Sequence, residues 1–326
     1  MKNKSLIIIA KLCLFSFTLC LLLTGCTAPR SMMDSGKVTP KHQLKIGASY
    51  SANVPTQTIK NATELIHTGI EAVKLINTSD NSKKNAEVAI RTLNNSPEFS
   101  DEGKKLTQYL LAYSIDPLTY GINYYARYGL LKRVDVGYQY AGGTNAFDAK
   151  YQFLGSTGSI GSSDGKKLYG SIGIQYSAKN YSLPSWLGKV QDHVGFEMKR
   201  KDVFVPIIFS KSFGQEEKTG HFSWGLAYNY TFLEYGFNPK QGSAISQIDF
   251  PYSSMHYKKH FSSYGAFVNV KVGYKYVYFL ASLSVYYQDY GKFTMLDGSQ
   301  SHFSGFTYVP SMGVQFVIPP LHKIKK

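Results

Sequence analysis

The stretch Phe222–Phe232, "FSWGLAYNYTF", decides the fold. Its alternate residues Phe222, Trp224, Leu226, Tyr228, Tyr230 and Phe232 are large and apolar, while Ser223, Gly225, Ala227, Asn229 and Thr231 between them are small or polar. Successive side chains of a strand point to opposite faces, so this is a strand with one greasy face and one small polar face. Which of the two looks inward separates a soluble sheet from a membrane barrel.

The same alternation recurs along the chain. "VDVGYQY" sets Val134, Val136, Tyr138 and Tyr140 against Asp135, Gly137 and Gln139, and "FDAKYQF" sets Phe147, Ala149, Tyr151 and Phe153 against Asp148, Lys150 and Gln152. "YGAFVNVKVGY" does so again over residues 264–274. Strands are expected near residues 43–52, 118–129, 133–141, 146–154, 168–177, 203–211, 221–235, 263–274, 277–290 and 305–318. Pro206 falls inside the sixth, where proline is tolerated mainly at edges and bulges. Residues 56–113 break the rule with apolar positions at helical spacing, among them Ile59, Ile66, Ile70 and Val73, then Leu106, Leu110 and Tyr113. They predict a helical insertion between the first two strands, with Ser100 as a candidate N-cap.

A soluble sandwich also alternates. Here the polar faces carry Gly, Ser, Asn, Gln and scattered charges, which suit a crowded polar interior. The apolar faces are loaded with aromatic rings near strand ends, as in "TYGINYYARY" and "VYYQDY", matching the interfacial girdles of membrane barrels. Loop parity agrees: with both barrel termini on the periplasmic side, residues 53–117, 178–202, 236–262 and 291–304 are long outer connections, and "AGGTN" is a short exception. The expected fold is therefore all-β: a ten-stranded antiparallel up-and-down transmembrane β-barrel with a helical insertion between strands 1 and 2. "SMGVQFVI", with Ser311, Gly313, Phe316 and Ile318, resembles the C-terminal assembly signal of outer-membrane β-barrel proteins, although "PPLHKIKK" follows it. The resemblance covers residues 43–52 and 118–318 and implies recognition by barrel-assembly machinery.

The beginning of the chain reads as an export signal. "MKNK" is a basic n-region and "LCLFSFTLCLLL" an apolar h-region, too short to span a bilayer as a helix. "LTGC", Leu23-Thr24-Gly25-Cys26, resembles the bacterial lipobox. That resemblance implies removal of residues 1–25, a diacylglycerol and an N-acyl chain (commonly palmitate) on Cys26, and handling by lipoprotein-sorting machinery. Thr27 after the cysteine is what outer-membrane-sorted members of that family carry, which implies a lipid anchor in the outer membrane of a diderm bacterium. The other cysteines, Cys13 and Cys20, leave with the signal, so the mature chain has no disulfide. Losing Lys2, Lys4 and Lys11 lowers the formal charge from +15 to +12. Residues 26–42 read as a flexible tether, 43–318 as the barrel domain and 319–326 as a basic tail.

Candidates for chemistry are sparse. Asp192 and His193 are a weak catalytic pair for general acid–base work, and His256 and His260 would bind zinc only on a helix with a third ligand. No metal or cofactor is expected beyond the acyl chains. The inward charges Lys45, Arg127, Asp135, Asp148, Lys150 and Lys271 read either as a selectivity lining or, the favoured reading, as a pairing network that fills a narrow lumen. Basic outer connections with Lys179, Lys189, Lys199, Arg200, Lys201, Lys240, Lys258 and Lys259 could meet the phosphates of surface glycolipid. A basic exported chain meets outer-membrane lipid rather than nucleic acid. The sequence thus points to a non-enzymatic structural, binding or narrow-transport component of the envelope. A rim-active enzyme on lipid or peptide, and a soluble periplasmic barrel held by its lipid, are the alternatives.

Overall fold

Ten runs of alternating side chains form ten strands, each hydrogen-bonded to the next, and the last closes on the first. In the computed structural model the described residues are 30–61, 63, 108, 111–112, 115–157, 167–181, 196–237, 255–294 and 300–319. The strands are β1 (Leu44–Pro55), β2 (Thr119–Leu131), β3 (Val134–Ala141), β4 (Thr144–Leu154), β5 (Leu168–Tyr181), β6 (Phe196–Phe213), β7 (Gly220–Phe237), β8 (Met255–Tyr274), β9 (Val277–Thr294) and β10 (Gln300–Ile318). All pairings are antiparallel, and β1 joins both β2 and β10 with Leu44 opposite Tyr128 and Ile318. The inner end of the barrel is defined as the end where β1 begins and β10 finishes.

Pro55 ends β1, and the two prolines in strand interiors, Pro206 and Pro310, each interrupt a single ladder. Pro206 pairs with Ala227 of β7, but the β5–β6 ladder is interrupted beside it, between Ile172–Ile207 and Gln175–Phe204, with the register kept. Pro310 pairs with Leu283 of β9 while the β1–β10 ladder is interrupted between Ser51–Ser311 and Val54–Tyr308, again without a change of register. A missing N–H is tolerable where only one neighbour loses a partner.

Alternation translates into two unlike faces. On β7, Leu226 is 66% exposed on the outside, whereas Ser223 and Thr231 are 0% exposed inside. Phe147, Tyr264, Phe279 and Met312 stand outward in the same way on other strands, making a continuous apolar belt. Beyond the outer edge of that belt the polarity inverts. Leu233 and Tyr235 of β7, Phe261 of β8, Tyr290 and Phe293 of β9 and Phe303 of β10 point inward and are buried together with Met198. Their outward neighbours are charged: Lys258 pairs with Glu234 at 3.4 Å, and His302 with Asp289 at 3.0 Å. The strands therefore run on past the aromatic edge, which is why β6, β8 and β10 begin earlier than their lipid-type alternation suggests.

Residues 56–61, part of the predicted insertion, are helical. Leu111, Ala112 and Ile115 from the end of that insertion bury themselves in the apolar cluster at the outer mouth. The fold differs from expectation in one large respect: from Arg30 onward the expected flexible tether is buried inside the barrel. Arg30, Ser35, Lys37, Val38 and Thr39 are all between 0% and 3% exposed.

Candidate functional site

The site is the lumen, and the chain's own residues 30–40 occupy it. The segment runs from the outer end to the inner end, and each step is fixed to the wall. Near the outer mouth, Arg30 Nη2 donates to Asp116 Oδ1 at 2.6 Å and to Asn53 Oδ1 at 3.3 Å, and Tyr286 Oη donates to the Arg30 carbonyl at 2.7 Å. Asp116, just before β2, also accepts from Gln288, Tyr290 and Thr307 at 2.6–2.7 Å. Met32 lies in an apolar collar with Phe204, Ile208, Phe267, Tyr286 and Val309. Midway, Asp34 Oδ2 stands 2.6 Å from Lys150 Nζ and 3.1 Å from Arg127 Nε. Arg127 in turn pairs with Asp135 at 2.6 Å and with Asp148.

Towards the inner end, Ser35 bonds to Ser210 and Glu217, and Lys37 pairs with Glu216. The Val38 and Thr39 amides donate to Gln152 Oε1 and Asp135 Oδ2 at 2.9 and 2.6 Å. Two glycines let the backbone through. A Cβ on Gly36 would meet the Tyr169 and Ile208 carbonyl oxygens at 2.7 and 3.0 Å, and one on Gly129 would meet the Pro40 carbonyl at 2.1 Å. His42 N and Gly129 N then exchange bonds with Gly129 O and Gln43 O at 2.8 and 3.0 Å, turning the segment into β1.

Glu216 and Glu217 sit in the turn between β6 and β7 with positive φ of 52° and 59°, a left-handed conformation that points both carboxylates up into the barrel. Glu217 meets Lys271 and His221 at 3.2 Å. Burial by itself would raise the Glu217 carboxyl, but His221 and Lys271 outweigh it and hold the group well below the ordinary carboxylate range. Asp116 behaves alike: burial raises it, and Arg30 and Arg200 bring it below the ordinary value. A buried charge persists only when paired and hydrogen-bonded, and these charges are. Among the described residues a cavity of about 80 Å³ lies beside Met33, Asp34, Tyr125, Arg127, Asp148 and Gln315. That is room for a few waters rather than for a solute path.

The inward residues read from the sequence are all on the inner wall: Lys45, Asp135, Lys150 and Lys271 are buried, and Arg127 and Asp148 are largely so. Asp34 and Glu217, the acids that meet them, and Asp116 and Glu216, which meet Arg30 and Lys37 of the luminal segment, were not singled out by the sequence. One hint was available: "SMMDSGK" puts two methionines and a lone acid in a stretch otherwise fit for a solvated linker. Arg200 is a correction. Expected in an exposed basic loop, it is 2% exposed on β6, with Asp202 at 2.9 Å and the Ile115 carbonyl at 2.7 Å, so it ties the insertion to the wall. Lys179 donates to the Gly142 carbonyl, and Lys199, Lys201 and Lys258 remain exposed. Lys189 and Lys240, with Asp192, His193 and Cys26, lie outside the described residues. His256 and His260 are on the outer end of β8, and among the described residues no group of three or more His, Cys, Asp or Glu could hold a metal. Ser311 and Gly313 face the lumen from β10, and Phe316 and Ile318 face outward beside β1.

No protein-family profile matches the chain, and no curated protein does. Among solved structures it is similar to Ail, the attachment invasion locus protein of Yersinia pestis, at 9% identity, covering 85% of this chain and 99% of that one with a TM-score of 0.31. It is similar to the outer membrane protease OmpT from Escherichia coli at 9% identity, over 90% of this chain and 100% of that one, TM-score 0.35. Neisserial surface protein A is also similar at 9% identity, over 84% and 96%, TM-score 0.27. The closed, ten-stranded all-β architecture rests on the pairing geometry itself, and the likenesses carry nothing about activity.

Proposed function

We propose that this protein is an outer-membrane β-barrel with a sealed lumen, a non-conducting structural or binding component of the envelope whose Cys26 carries the lipid implied by its lipobox. The observation that supports it is the course of residues 30–40, which fill the lumen and neutralise its wall. The apolar belt supports the membrane part. Large exposed rings and aliphatics in a closed band are costly in water and favourable in lipid, and the charge inversion above them suits a water boundary. Lys199, Lys201 and Lys258 on the outer ends of β6 and β8 are placed to meet phosphate groups at such a boundary. A filled lumen argues against narrow transport.

The test is conductance in planar bilayers together with gel mobility before and after heating. The intact protein is expected to run as a compact heat-modifiable band and to give no stable conductance steps. A variant lacking residues 30–40 should give steps. A conducting intact protein would overturn the sealed-lumen reading, and mobility indifferent to heating would return the barrel to the soluble, lipid-tethered alternative.

A further inference from the structure

We infer that the mature N-terminus leaves the barrel through its outer mouth, so that the two ends of the chain lie on opposite sides of the membrane and any acyl chains on Cys26 enter the outer leaflet at the cell surface. In an even-stranded barrel both barrel termini lie on the inner side, and a lipoprotein tether would ordinarily hold the first strand from there. Here the direction of the luminal segment reverses that geometry. This inference rests on the reading of the belt as membrane-spanning.

The level of Arg30 is fixed by its partners. Asn53 is near the outer end of β1, Asp116 precedes the outer end of β2, and Tyr286 neighbours Tyr287, the last outward ring of β9 before the charged Asp289. Arg30 therefore sits at the outer edge of the belt, below the apolar cluster that lines the β6–β10 side of the mouth. Tyr286 is nine residues along β9 from Val277, which at ordinary strand rise and barrel tilt is roughly 23 Å from the inner end.

Chain reach then decides the side. Cys26 precedes Arg30 by four residues, so it is at most about 14 Å away even fully extended. The inner face is out of range, and the way back down is occupied by residues 31–40, which are hydrogen-bonded to the wall over their length. Sideways, ten strands at ordinary spacing and tilt enclose a radius of roughly 10 Å. Four residues are thus enough to bring a thioether-linked glycerol over the rim to the outer leaflet. The three residues between Cys26 and Arg30, namely Thr27, Ala28 and Pro29, are small and uncharged, and the first charge after the cysteine is Arg30, already paired with Asp116. A lipidated end cannot be threaded through a finished barrel of this width. The wall has to close around the segment, with the β1–β10 seam zipped while residues 30–40 are in place.

The experiment is thiol labelling of intact diderm cells with a bulky polyethylene-glycol maleimide that does not pass the outer membrane. Three full-length variants are compared with wild type as background: Ala28→Cys before the luminal segment, Lys258→Cys on the outer end of β8, and Lys275→Cys in the inner β8–β9 turn. Each is first checked for the compact heat-modifiable band, which confirms folding. Ala28→Cys is expected to label on intact cells as Lys258→Cys does, while Lys275→Cys labels only after the outer membrane is permeabilised. Labelling of Ala28→Cys only after permeabilisation, or only after the barrel is unfolded, overturns the inference. If Lys258→Cys and Lys275→Cys do not segregate, the membrane reading fails instead, and the inference falls with it.

Discussion

Gly36 shows how closely the luminal segment is fitted. It passes two main-chain carbonyls, Tyr169 O on β5 and Ile208 O on β6, and neither can swing aside as a side chain would. Gly36→Val is expected to destabilise the barrel by about 1–3 kcal/mol, the usual range for forced overpacking, and to introduce conductance in bilayers by displacing residues below it. A urea titration of the folded band and the conductance record check the two effects. Asp34 has a different role, since it carries an acid from the luminal segment to Arg127 and Lys150, which also face Asp135 on the wall. The wall charges were readable in the sequence from strand parity alone. Their partners were not, because "RSMMDSGKVTPK" has neither period nor turn chemistry and its burial is decided only by what surrounds it.

At the scale of the strand, parity was legible and height was not. Alternation at Phe222–Phe232 identifies β7 and its lipid-type face, but the strand continues to Phe237 with the same residues inward and the polarity of the two faces exchanged. Period two cannot register that exchange, because a strand with rings inside and charges outside alternates just as well. The helical insertion was legible as a change of period, yet the packing of Leu111, Ala112 and Ile115 against the β6–β10 side of the outer mouth follows from the apolar interior they meet there. The boundary gives a paired prediction on one strand. Leu226 lies midway along the belt face, and a lysine there faces lipid, so Leu226→Lys should lower stability in bilayers by about 2–4 kcal/mol. Glu234→Lys, outward on the same strand but above the inversion, should change it by less than about 0.5 kcal/mol. Comparable small effects at both sites, measured by denaturant unfolding in vesicles, would mean the belt does not face lipid.

Across the whole molecule, the barrel and its luminal segment stabilise one another from both ends. Asp116 holds Arg30 near the outer mouth, and Glu217, beside Ser35, faces Lys271 and His221 at the inner end. Both carboxyls lie below their ordinary range in the folded protein, as the neighbouring cations outweigh burial. The sign of the pH dependence follows. A carboxyl with a lowered folded pKa contributes fully above its unfolded value, near 4, and loses that contribution as pH falls towards the folded value, because the unfolded chain takes up its proton first. The contribution these two carboxyls make to the temperature at which the compact band converts to the unfolded one should therefore be complete above about pH 5 and fall away below about pH 4. Asp116→Asn should start at a lower temperature, since Arg30 keeps its burial and loses its charge partner. The same variant should also fall less steeply in acid, because one of the two titrating anchors is gone. Parallel acid profiles for the variant and the wild type would assign the acid sensitivity to other groups and leave Asp116 a hydrogen-bond acceptor for Gln288, Tyr290 and Thr307.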